Sequence, residues 1–252
     1  MRLGKKKQPE LPENASPPQE VHDPGNQEIR DVKPNKESIH PSRLGICLEG
    51  IPYIGMAALG SLVFALLGWQ VLSVLALGLT LGIVHFFRDP ERVVPAEKDV
   101  AVSPADGKVL DVQSRPDPVS KQQCPRISIF MNVLNVHVNR TPISGRVTNI
   151  VYQEGSFHRA SLGQADQSNE RNIIVIEDHD GHSWSMVQIA GLIARRIVCW
   201  TGRGNEIRRG QRVGLIKFGS RVDLYMPEGY EIKVRSGDRV YAGQTILARK
   251  KE

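Results

Sequence analysis

The chain has 252 residues and 28.0 kDa, enough for one sizeable domain with appendages. Hydrophobic residues make up 40% and charged residues 24%, the balance of a folded protein, and a net charge of +6 favours an anionic partner. Aromatics are only 6% and no stretch interleaves them with Lys or Arg, which argues against nucleic acid and leaves membrane lipid. Cys47, Cys124 and Cys199 are widely spaced and odd in number, so they suggest neither a disulfide framework nor a zinc site.

Met1 to Leu44 is rich in Pro, Glu, Lys, Asn and Gln, with eight Lys/Arg against seven Asp/Glu. It lacks apolar periodicity and cannot bury enough surface to offset its ordering entropy, so residues 1–44 are expected to be a disordered tail. From Ile51 to Phe87 there is no formally charged residue over 37 positions. One straight helix of that length would run to about 55 Å against a hydrocarbon core of roughly 30 Å. Gly68-Trp69-Gln70 interrupts the run, so a tight transmembrane hairpin of two helices is the first expectation and one long tilted or broken span the second. A hairpin would put Arg43 on the side of Arg88 and Arg92, which should be the cytoplasmic side of the cell membrane. Phe86-Phe87-Arg88-Asp89-Pro90-Glu91-Arg92 reads locally as the exit from the membrane, closing an anchoring segment over residues 45–92.

From Val93 the pattern changes to short strands punctuated by Gly and Pro: Val109–Val112, Ile127–Met131, Val147–Tyr152, Ile173–Glu177, Trp184–Ile189, Leu192–Val198 and Glu231–Val234. Ser103-Pro104-Ala105-Asp106-Gly107-Lys108-Val109 and Thr141-Pro142-Ile143-Ser144-Gly145-Arg146-Val147 repeat one pattern, small-Pro-x-x-Gly-basic-Val. Ser236 to Gln244 resembles the hairpin of biotinyl/lipoyl-type domains. These features predict a mainly β fold, a duplicated sandwich or barrel-sandwich over residues 93–252.

The chain contains no phosphate loop, no Gly-x-Ser-x-Gly elbow and no His-Glu-x-x-His. His179 and His182 lie in a segment that reads as a hairpin turn, so no metal site is expected. In Gly214 to Pro227, alternation from Val222 onward reads as a half-buried strand after another short one. Gly219-Ser220 sits where the chain bends between them. On its own such a pair is an ordinary turn or bulge. Asp106 reads locally as a turn former and His137 as a strand residue, yet Asp, His and Ser together are a standard means of activating a hydroxyl.

Lys217-Phe218-Gly219-Ser220-Arg221-Val222-Asp223 closely resembles the self-cleavage motif of phosphatidylserine decarboxylases of the short, membrane-associated kind. Phe86–Arg92, Ser103–Val109, Val136–Pro142, Asn169–Asn172 and Gln188–Ile197 look like further segments of that family, in family order, so the resemblance covers about Gly45 to Lys250. It implies that Ser220 Oγ attacks the Gly219 carbonyl, with His137 as base and Asp106 orienting the imidazole. β-Elimination and loss of ammonia would then leave a pyruvoyl cofactor derived from Ser220. The protein would comprise a β chain ending at Gly219 and an α chain of 33 residues, Ser220 to Glu252. The implied reaction converts phosphatidylserine to phosphatidylethanolamine and CO2 through a Schiff base on the pyruvoyl carbonyl. Arg195 and Arg196 are candidates to hold the lipid phosphate. Longer members carry a second histidine three positions after the first. Here that position is Arg140, which leaves open whether His137 serves cleavage, decarboxylation or both, with His158 as an alternative base. Two other readings are a non-catalytic membrane-anchored sandwich module and a decarboxylase of an ether-linked serine lipid; a homo-oligomer is left open.

Overall fold

A computed structural model of the chain describes residues 45–155, 169–191, 196–217 and 220–251; the expected tail 1–44 lies outside them. The uncharged run forms two antiparallel helices, α1 (Ile51–Leu66) and α2 (Gln70–Phe86), packed against each other. The reversal falls at Leu67-Gly68-Trp69, where Gly68 takes φ +76, a conformation costly for any residue with a Cβ. Ser61 and Ser73 lock the pair, each Oγ donating to the other's carbonyl at 3.0 Å. The outer surfaces expose Leu59, Leu62, Leu66, Val74, Leu77 and Leu81. By length and composition one stretch, Leu48–Leu66, could cross a membrane, while the second helix is apolar but shorter.

The rest of the described chain is β, as the alternating patterns predict. The strands are β1 (Val100–Val102), β2 (Gly107–Pro116), β3 (Gln123–Met131), β4 (Val138–Arg140), β5 (Gly145–Gln153), β6 (Arg171–Glu177) and β7 (Ser183–Ala190). They continue as β8 (Ile197–Cys199), β9 (Glu206–Ile207), β10 (Arg212–Ile216), β11 (Ser220–Tyr225), β12 (Tyr230–Ile232), β13 (Arg239–Val240) and β14 (Ile246–Lys250). An eight-stranded sheet runs β13-β2-β3-β11-β7-β6-β5-β9, accompanied by the three-stranded sheets β1-β14-β12 and β4-β10-β8. The strand expected over Leu192–Val198 is β8, which starts only at Ile197; residues 192–195 lie outside the described chain. At the β6–β7 turn, Asp178 accepts from the Asp180 and His182 amides and from Trp184 Nε1, which accounts for that acidic segment as a hairpin closure.

The repeat seen in the sequence is written into the hydrogen bonds. Val109 N–H donates to Asp238 at 2.9 Å and Val147 N–H to Asn205 at 2.9 Å. Gly243 N–H donates to Ser103 at 2.8 Å and Gly210 N–H to Thr141 at 2.9 Å. The two turns also clasp each other, Val102 N–H to Pro142 and Arg140 N–H to Pro104, both at 2.9 Å. A Cβ on Gly107 would collide with the Phe130 carbonyl, and one on Gly145 with the Glu177 carbonyl. Glycine is required at both places because another strand's backbone passes there. Each of β2 and β5 slips register just after its glycine, between Val109 and Asp111 and between Val147 and Asn149.

Phe86–Arg92 joins the helices to the strands. Asp89 pairs with Arg212 Nε at 2.6 Å and Arg140 Nη2 at 3.5 Å, and its amide donates to Gly45 at 2.7 Å. Glu91 takes Arg212 Nη2 at 2.9 Å. Phe86 and Phe87 join Cys47, Val136, Val138, Trp200 and Leu215 in a buried cluster, so the helices are bolted to the β domain.

Candidate active site

β10 ends at Ile216 in the small β4-β10-β8 sheet, and β11 begins at Ser220 in the large one. The Gly219-Ser220 bond therefore belongs to the passage between two sheets; Gly219 itself lies outside the described residues. Ser220 stands opposite Met131 on β3 and Ala190 on β7, all three fully buried. Val222 and Leu224, on the same face of β11, enter the main core. Ser220 Oγ has no hydrogen-bond partner among the described residues, an expensive condition for a buried hydroxyl.

His137 precedes β4, and its carbonyl accepts from Ile216 N–H at 3.4 Å, alongside the strand that leads to Ser220. The ring is fully buried and lies against Phe86, centroids 4.2 Å apart. Nδ1 is 2.9 Å from the Asn135 carbonyl, which can only accept, so Nδ1 carries the proton and Nε2 a free lone pair. Nε2 likewise has no partner among the described residues. Burial pushes the imidazole down to about 4, opposed by the Asn135 carbonyl and reinforced by the charge of Arg88. The histidine is thus a dry, neutral imidazole with a free lone pair on Nε2.

Asp106 does not pair with His137. Its carboxylate accepts from Arg92 Nη2 and from Ala242 N–H, both at 2.8 Å. The contact to Ala242 recurs in the second turn, where Ser144, at the matching place, accepts from Arg209 N–H at 2.9 Å. The orienting contact expected of Asp106 is made instead by the Asn135 carbonyl. Arg140, standing where longer members carry the second histidine, is committed to Asp89, Pro90 and Gly210. His158 and Arg195 lie outside the described residues, and Arg196 precedes β8, its carbonyl accepting from Lys217 N–H at 3.2 Å.

Sequence reasoning passed over three buried amides on this face. Asn172 Nδ2 donates to Gln188 Oε1 at 2.9 Å, Gln188 Nε2 to Asn139 Oδ1 at 2.8 Å, and Asn139 Nδ2 to Met131 Sδ at 3.6 Å. The readable signal was Gln188 alone among apolar neighbours in Met186-Val187-Gln188-Ile189-Ala190. Asn169 and Glu170 hold Ala190 from beside it, through Asn169 Nδ2 to its carbonyl at 2.7 Å and its amide to Glu170 at 3.0 Å.

The sequence profile described as phosphatidylserine decarboxylase matches residues 79–248, spanning the clasp, both repeated turns, His137 and Ser220. The chain belongs to the phosphatidylserine decarboxylase family. It is 55% identical over 204 residues to a phosphatidylserine decarboxylase proenzyme of Oleidesulfovibrio alaskensis, covering 81% of this chain and 94% of that one. A proenzyme of the same name from Nitratidesulfovibrio vulgaris is 53% identical, over 82% of this chain and 95% of its own length. One from Ruegeria pomeroyi is 48% identical, over 79% and 93%. Family membership leaves no room for the non-catalytic module as a description of the β domain. The family's pyruvoyl group fits these residues: Ser220, from which the group would form, carries an unsatisfied buried hydroxyl, and His137 an unsatisfied buried imidazole nitrogen.

Proposed function

We propose that the chain is made as a proenzyme, cleaves itself between Gly219 and Ser220, and then decarboxylates phosphatidylserine to phosphatidylethanolamine and CO2. The observation that carries this reading is the pair of buried, unpartnered atoms, Ser220 Oγ and His137 Nε2, beside the passage between the two sheets. His137 Nε2 takes the proton of Ser220 Oγ, whose electron pair attacks the Gly219 carbonyl carbon. The Gly219–Ser220 C–N bond breaks, leaving an ester and a free amino group on residue 220. Loss of the residue 220 Cα proton expels the Gly219 carboxylate, and water replaces nitrogen as ammonia leaves. The pyruvoyl group so formed supplies an electrophilic carbonyl for the substrate's amine and a sink for the electrons that decarboxylation releases. The residues around it are buried, and Asn135 keeps the proton of neutral His137 on Nδ1, so Nε2 can take and return one. Asp106 serves by binding Arg92 to the turn at Ala242.

The two helices are the membrane anchor in this reading, with their exposed leucines in lipid. Lys217, three residues before Ser220, hydrogen-bonds Tyr53 Oη at 3.3 Å and lies 4.9 Å from its ring centroid, in the first turn of α1. That contact ties the cleavage segment to the membrane surface, where a phospholipid headgroup arrives. Arg88 and Arg92 at the base of the hairpin favour the cytoplasmic face.

The test is intact-mass analysis of the purified protein. Two chains, the smaller of 33 residues and blocked at its N-terminus, are expected from wild type, and one uncleaved chain from Ser220→Ala. A wild-type protein found only as a single 28.0 kDa chain overturns the reading.

A further inference from the structure

Asn172, Gln188 and Asn139 form a relay whose direction is fixed at one end. Met131 Sδ has no hydrogen to give, so the Asn139 atom against it is the amide nitrogen. Asn139 Oδ1 must then face Gln188, Gln188 must offer Nε2, and its Oε1 must receive Asn172 Nδ2. Every donor in the series points the same way. The far end bears the cost: Asn172 Oδ1 is buried with no partner among the described residues. The near end holds the opposite imbalance. Asn139 Nδ2 carries two N–H bonds, and its one partner is a thioether, a weak acceptor.

That nitrogen and the reacting serine share one neighbour. Met131, which it touches, is the register partner of Ser220 on β3. Gln188 is the register partner of Val222 on β7, one same-face step from Ala190, the other neighbour of Ser220. All of these side chains are fully buried. Gly214 on β10 makes the close passage possible, since a Cβ there would lie 2.9 Å from Gln188 Nε2.

We infer that Asn139 is a catalytic residue of self-cleavage: its Nδ2 donates a hydrogen bond to Ser220 Oγ as the hydroxyl proton passes to His137 Nε2. Negative charge accumulates on Oγ before its electron pair reaches the Gly219 carbonyl carbon, and a preorganised donor in a dry site stabilises that charge. Gln188 and Asn172 are positioning residues that keep the amide nitrogen, rather than its oxygen, turned toward Ser220. The inference rests on self-cleavage at Ser220 as proposed above and adds the group that makes the serine acidic enough to react.

The experiment follows conversion of freshly translated full-length chain to two chains, by gel and intact mass, from pH 6 to 9 in the presence of phospholipid vesicles. Asn139→Leu removes the donor and should slow conversion about tenfold or more at every pH, the loss expected for a hydrogen bond to a charged group. Gln188→Glu is the decisive variant. Its carboxyl, raised by burial, can donate to Asn139 only while protonated. Once ionised it turns the Asn139 amide around and presents oxygen to Ser220. Conversion of Gln188→Glu should therefore fall about tenfold or more as pH rises, whereas wild-type conversion should not fall. Thermal melting of Gln188→Glu in a Ser220→Ala background, over the same pH range, shows whether the fold persists. A falling rate with the protein folded throughout supports the inference. A flat profile, or a fall confined to pH values where the protein unfolds, overturns it, as does wild-type-like conversion of Asn139→Leu. If wild type itself fails to convert, it is the proposed self-cleavage that has failed.

Discussion

His137 shows how far one residue's chemistry depends on what seals it. Its pKa is lowered to about 4 chiefly by burial, so the imidazole is neutral in the fold where an unfolded chain would carry a charge. Between pH 6.5 and 4 the unfolded state binds the extra proton, so the stabilisation this gives is complete above the unfolded pKa and is lost as pH falls through the folded one. Its full size is about 3 kcal/mol. Self-cleavage should keep its basic group down to about pH 4, which a pH–rate profile of precursor conversion can check. Phe86→Ala, which opens the ring's cover, should move the acid limb up toward 6.5. Asp106→Asn separates the two roles open to that carboxylate. It retains an acceptor for Ala242 N–H but breaks the pair with Arg92, whose side chains are 6% and 13% exposed, and should cost about 3 kcal/mol in denaturant unfolding. The acid limb should stay where it is, because Asn135 holds Nδ1; a shifted limb would restore Asp106 as the orienting group. Ser220 and His137 could be named as candidates from the sequence because their segments carry the family resemblance. The Asn135 contact could not, since any residue supplies a backbone carbonyl and only the bend before β4 aims this one.

At the level of elements, duplication explains which features could be read and which could not. The long strands β2, β3, β5, β6 and β7 announce themselves by apolar runs. β9 and β13 are two residues each and have no periodicity to show; β9 pairs with β5 at Gly145 and β13 with β2 at Gly107. Small-Pro-x-x-Gly-basic-Val predicted a turn feeding a strand, and both turns do so. What the pattern did not reveal is that each turn also closes on the other, through Val102, Pro104, Arg140 and Pro142. Gly107→Ala and Gly145→Ala test the equivalence. Each drives a methyl group into a neighbouring carbonyl, and overpacking of this kind costs about 1–3 kcal/mol. The two variants should lose stability by similar amounts in urea unfolding of the Ser220→Ala chain. A large loss at one position and none at the other would mean that the two halves carry unequal loads.

Across the whole molecule, the consequence of the proposed cleavage is set by which strands the small chain contributes. β11 lies between β3 and β7 and is bonded to both over all six of its residues. β13 closes the edge at β2, and β14 pairs with β1. On the face of β11 away from Ser220, Arg221 grips Asp223 at 2.7 and 2.8 Å, and Arg126 from β3 reaches Asp223 at 3.5 Å and Asp111 at 2.8 Å. Val222, Leu224 and Met226 are core residues. Removing the 33-residue chain would take out the centre of the large sheet, expose that core and leave Arg126 without Asp223. The proposed cut at Ser220 would therefore leave the two chains held together by these strands. The two chains should co-elute in non-denaturing detergent and part only in denaturant, at the concentration where the large chain loses its β-sheet circular dichroism. Separation of the chains without that loss would show that β11 is not the central strand of the mature enzyme.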